Sequence, residues 1–144
     1  RFVPNDSTRL PFIIKRGNIK FIFENKDEIY FIEGLTHMAY DKGVMYKLTA
    51  TNDTFSVELL HEFGSAPLVY TIYKDQILIA AFRSFIFIKD GKQAIVFDDI
   101  FWSGLYPNSI CALDEHNIFI GMRRGIAKID LEDKGLKFYR KVKS

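Results

Sequence analysis

The stretch that decides the architecture runs from Asn108 to Val142, NSICALDEHNIFIGMRRGIAKIDLEDKGLKFYRKV. It divides into four short runs, SICAL, NIFIGM, IAKIDL and LKFYRKV, each carrying β-branched or aromatic residues. Between them lie DEHN, the break Arg123-Arg124-Gly125, and Glu132 to Gly135. Short apolar runs bounded by Gly, Asn and Asp read as strands joined by tight turns. The expectation is a small antiparallel sheet of four strands.

The same order of runs occurs upstream. From Val69 the chain reads VYTIY, a turn at Lys74-Asp75, QILIAAF, a break at Arg83-Ser84, FIFIK, a turn at Asp90-Gly91, and QAIVF. Ile77 and Ile118 open the second runs 41 positions apart, and Arg83 and Arg124 then occupy the same place in the break. An earlier unit, IKFIFE, EIYFI, GVMYKLTA and FSVELLHEF, aligns through Ile29, 48 positions before Ile77. Its extra length falls in Leu35–Lys42, after which Gly43 stands where Gly125 does.

A period of roughly 40–45 residues with four strands per unit is that of a propeller blade. QILIAAF and FIFI are apolar without alternation, which predicts burial on both faces. The last strands, FSVEL and KFYRK, mix charge into the pattern, as strands on an outer rim do. The predicted fold is therefore all-β. It is one domain over 1–144 with three four-stranded antiparallel units, approximately 12–63, 67–98 and 107–142, and an N-terminal arm over 1–11. The alternative is a two-sheet β-sandwich or barrel.

The pattern PNSI…LDEHNIFIGMRRGIAKIDL resembles the blades of bacterial β-propeller proteins of the regulator-propeller and NHL-like kinds. In those, an aliphatic strand ending in Gly is followed by a short turn and a Gly-led third strand. The resemblance covers about Ile19 to Val142 and is strongest in the third unit. It implies a structural repeat and carries no catalytic motif. Closed propellers have about 4–8 blades, whereas three units are legible here. Two open flanks imply self-association, a partner chain or further blades.

Composition narrows the classes. With 20 Lys+Arg against 18 Asp+Glu, the formal charge of +2 supplies no global field for nucleic acid, which ranks last among the partners considered. No apolar run approaches the roughly 18 residues a membrane helix needs. No charged-then-apolar signal segment is present, so a soluble chain is expected, cytoplasmic or periplasmic if the source is bacterial. Cys111 is the single cysteine, and its apolar neighbours predict a small core residue. His37, His61 and His116 lie in no metal-ligand spacing, and no phosphate loop, nucleophile elbow or dinucleotide fingerprint occurs. No cofactor and no metal are expected.

Placement carries the functional signal. In a four-stranded blade the connections between second and third strands share a face with the blade-to-blade connections. This brings Arg83, Arg123 and Arg124 together with Trp102 and Tyr106 of the connection Asp98–Pro107, and with His37 and Tyr40 of the insertion. Trp, Tyr and Arg are the types most enriched at binding hot spots, and Arg grips carboxylates through paired hydrogen bonds. Two functions fit this placement. The first is a non-enzymatic module whose basic, aromatic face binds an acidic protein or peptide. The second is a propeller-type enzyme or ligand sensor acting on a carbohydrate or small anionic ligand. The first strands offer only Lys20, Glu24, Thr71, Tyr73 and Ser109 toward an axis, which favours the first. A role for Trp102 as filler between sheets is the competing reading of that residue.

Overall fold

The structure is a computed structural model and describes residues 18–34, 42–51, 54–98, 100, 102 and 106–140. These form twelve strands and no helix. The strands are β1 (Asn18–Asn25), β2 (Glu28–Gly34), β3 (Gly43–Thr51), β4 (Thr54–Phe63), β5 (Pro67–Tyr73) and β6 (Gln76–Ala81), then β7 (Phe85–Lys89), β8 (Lys92–Phe97), β9 (Pro107–Ala112), β10 (Asn117–Met122), β11 (Gly125–Asp130) and β12 (Gly135–Arg140). They group in chain order into three four-stranded sheets, β1–β4, β5–β8 and β9–β12. Each is an antiparallel meander with no crossover.

Tight turns set the registers. Lys26 and Asp27 both adopt positive φ (55° and 59°), as do Asp90 and Gly91 (49° and 69°). Two consecutive left-handed residues match the twist of the flanking strands, which makes such two-residue loops good hairpin closures. Asn25 thus pairs with Glu28, and Lys89 with Lys92.

The central sheet is buried on both sides, as its unbroken apolar runs predict. Ile77, Ile79, Ile86 and Ile88 pack with Phe23, Tyr30, Ile32, Met45 and Phe63 of the first sheet. Their alternates Leu78, Ala80, Phe85 and Phe87 pack with Ile118, Ile120, Met122, Ala127 and Ile129 of the third. Successive side chains on a strand point to opposite faces, so one hexapeptide serves two cores. Aromatic contacts reinforce the first seam, where Phe23 stacks on Tyr70 at 4.4 Å between centroids and Phe21 meets the same ring at 5.1 Å.

The first and second sheets are also pinned where their backbones come closest. Pro67 opens β5 between Gly34 and Gly43. A Cβ at Gly43 would lie 2.4 Å from Pro67 Cδ and 2.7 Å from the Glu33 carbonyl oxygen. Lys20 Nζ donates to the Pro67 carbonyl at 2.7 Å, and burial lowers the pKa of that ammonium. Neither Pro67 nor the Glu33 backbone can yield without disturbing the joint. Gly43→Ala is therefore expected to destabilise the fold by about 1–3 kcal/mol. Urea denaturation, with the slope unchanged and the midpoint lowered, is the measurement that checks it.

Candidate functional site

The connections between sheets and the β6–β7 turn meet at one end of the sheets. Phe82 N donates to the Ala66 carbonyl and Ile100 N to the Arg83 carbonyl. Arg83 N donates to Ser65 Oγ at 2.9 Å. This lattice ties the 64–66 linker, the 81–84 turn and the start of the 98–106 connection together. The registers put the β10–β11 turn at the same end, because Met122 pairs with Pro107. Arg83, Arg123 and Arg124 are all exposed there. Tyr106 is 50% exposed and lies against the Phe82 ring at 4.9 Å. His37 and Tyr40 lie outside the described residues.

Trp102 departs from its expected place on that surface. It is only 3% exposed and packs into the core between the second and third sheets. Its indole N–H donates to the Ala81 carbonyl at 3.0 Å, at the end of β6 where the ladder stops. A large ring with one polar atom suits this position, since it fills volume and satisfies a terminal carbonyl. Trp102 is thus not available as an exposed anchor. Cys111 reverses in the other direction. β9 turns Ile110 and Ala112 toward the core, so the intervening Cys111 is exposed rather than buried.

The opposite end carries a feature that the linear sequence did not reveal. A cleft of about 550 Å³ opens between the first two sheets, lined by Lys26, Glu28, Tyr30, Lys47, Glu58, Asp75, Asp90 and Lys92 over a floor that includes Leu60, Ile77 and Ile88. Lys26 bridges Asp75 at 3.3 Å and Asp90 at 3.1 Å, joining turns of two sheets. Lys74 pairs with Glu115 and so links the second sheet to the third. These turns are interlocked rather than simply solvated, although exposed pairs of this kind are weak and screened by salt.

Inside the cleft, Tyr30 Oη donates to Glu28 Oε2 at 2.5 Å and Lys47 Nζ donates to Glu28 Oε1. The hydrogen bonds from Lys47 and Tyr30 hold the Glu28 carboxyl below the usual carboxylate range. Burial, and then the Glu28 hydrogen bond, raise the pKa of the Tyr30 phenol. The group is a fixed hydrogen-bonded triad with a charged rim. Its one signal in the sequence is Glu28-x-Tyr30 on a single strand face. Lys47 joins them only through the register that sets Tyr30 opposite Lys47.

Among the described residues, no three His, Cys, Asp or Glu side chains group as metal ligands. Asp114 is occupied in its own turn, where it accepts from His116 N, Asn117 N and Asn117 Nδ2. These bonds lower its pKa. Among the described residues no helix is long and apolar enough to cross a membrane. The chain matches no protein-family model and no curated protein sequence.

Trp102 is the only tryptophan, so native fluorescence should be blue-shifted, poorly quenched by acrylamide, and red-shifted on unfolding. Trp102→Ala should cost about 3–5 kcal/mol in denaturant unfolding. His61, whose ring meets Phe63 edge-on at 4.8 Å, has its pKa lowered chiefly by burial, partly offset by Asp98 and Glu62. Its neutral form is favoured by folding. That contribution is complete above the unfolded pKa of about 6.5 and is lost as pH falls through the lower folded value. Thermal melts from neutral to mildly acidic pH should show this loss in the native chain, reduced in His61→Gln.

Proposed function

We propose that this chain is a propeller-type, non-enzymatic interaction module that binds an acidic protein or peptide at its connection-bearing end. The observation that carries the reading is the exposure of Arg83, Arg123, Arg124 and Tyr106 at one end of three successive antiparallel sheets. The guanidinium groups supply a carboxylate-recognising edge, and the half-exposed Tyr106 supplies an apolar, hydrogen-bonding anchor. The propeller reading draws support from the repeat of four-stranded meanders and from the burial of the central sheet on both faces. The approach of β5 to β9, the first strands of their sheets, is what a common axis requires.

The 550 Å³ cleft favours a second reading, a sensor or enzyme for a carbohydrate or small anionic ligand, because lysines and carboxylates line it together. The two are separable by location. Arg123→Glu combined with Arg124→Glu should weaken binding of a Glu/Asp-rich peptide by about tenfold or more and flatten its salt dependence. Fluorescence anisotropy over a salt series checks this. Unchanged affinity with an unchanged salt slope would remove the arginine-bearing end from the account. A small sugar or anion that raises the melting temperature, and does so no longer after Lys47→Ala, would favour the cleft.

A further inference from the structure

Equivalent repeat positions pack in equivalent ways. Ile77 and Ile79 of β6 face the sheet that precedes theirs, and so do Ile118 and Ile120 of β10. The matching residues of β2 are Ile29 and Phe31, which face away from the second sheet. Conversely, Tyr30 and Ile32 in β2, like Leu78 and Ala80 in β6, face the sheet that follows. Their counterparts in β10, Phe119 and Gly121, point out of the third sheet. The outer face of the first sheet and the outer face of the third are thus the two halves of the joint used twice within the chain.

Both halves carry exposed apolar side chains. On the first sheet Ile22 is 67% exposed, Ile29 41%, Phe55 48% and Leu59 52%, while Phe31 is buried beside Tyr46 at 4.9 Å between rings. On the third, Leu113 is 68% exposed, Ile126 47% and Tyr139 53%. The faces also differ in charge. Register places Glu24, Glu33 and Glu62 on the first. It places Lys128 and Lys137 side by side on the third, where Asp130 is engaged by the backbone of Glu132 and Asp133.

We infer that the outer face of the first sheet packs on the outer face of the third sheet of a second copy, and reciprocally. Three sheets from each of two chains then close one ring. A ring of that size falls within the 4–8 blade range. Joining unlike faces around a two-fold axis closes without leaving an edge, whereas pairing like faces would set the glutamates against one another. The inference rests on the propeller-type part of the reading above and not on the arginine-bearing end.

Sedimentation velocity and light scattering on the 144-residue chain test it. The expected mass is twice the 16.7 kDa of one chain. Ile22→Lys and Ile126→Glu, at exposed sites, should each give monomers with unaltered far-ultraviolet spectra, and Leu59→Lys serves as a second variant of the first-sheet face. Mixing Ile22→Lys with Ile126→Glu should restore the dimer, because the mixed pair has one unaltered joint and one with introduced charges of opposite sign. Arg123→Glu with Arg124→Glu should leave the dimer intact, which separates this joint from the peptide-binding reading. A monomer at all concentrations would overturn the inference, as would open-ended growth. A dimer broken by Ile22→Lys but untouched by Ile126→Glu would also overturn it, showing pairing of like faces.

Discussion

Burial of β6 and β7 on both of their faces is the constraint on which the other features depend. Leu78, Ile79, Ala80 and Phe85 are all 0% exposed, yet they serve two separate hydrophobic clusters. Burying such side chains contributes about 1.5–3 kcal/mol each for the larger ones. It is obtained only if a sheet lies on each side. The first and third sheets are positioned by that requirement, and each then has one satisfied face and one open face. The ends of the molecule follow as well, since a four-stranded meander places its first and third hairpin turns at one end and its second, with the inter-sheet connections, at the other.

The two ends are held differently. At the connection-bearing end the ties are backbone hydrogen bonds, the Ser65 hydroxyl and one buried indole. At the opposite end they are exposed lysine–carboxylate pairs, weak individually and screened by salt. Arg83, Arg123 and Arg124 are exposed at the first of these ends. The more loosely tied end is where the cleft opens between the first two sheets.

Much of the fold was legible from particular residues. The positions of Ile77 and Ile118, and of Arg83 and Arg124, gave the division into four-stranded groups, and the unbroken QILIAAF and FIFI runs gave the doubly buried sheet. The candidate surface was legible only in part. Arg83, Arg123 and Arg124 are polar turn residues, whose exposure depends little on distant contacts. Trp102 sits in an irregular connection with no period to assign it a side, so whether it was anchor or filler could not be read locally. Cys111 is exposed despite its apolar neighbours, because adjacent residues of a strand face opposite ways.

The sequence by itself determined strand content, turn positions and the grouping into three four-stranded sheets, because period and turn chemistry act over a few residues. Only the tertiary structure decided which residues meet from separate sheets. Lys47 reaches Glu28 through register, Trp102 caps β6 through its indole N–H on the Ala81 carbonyl, and Pro67 wedges between Gly34 and Gly43. It also decided that Ile22 and Leu59 on one flank, and Ile126 and Tyr139 on the other, remain uncovered. Those contacts depend on how sheets stack in space, and stacking is set by the packing of whole faces rather than by any short run of residues.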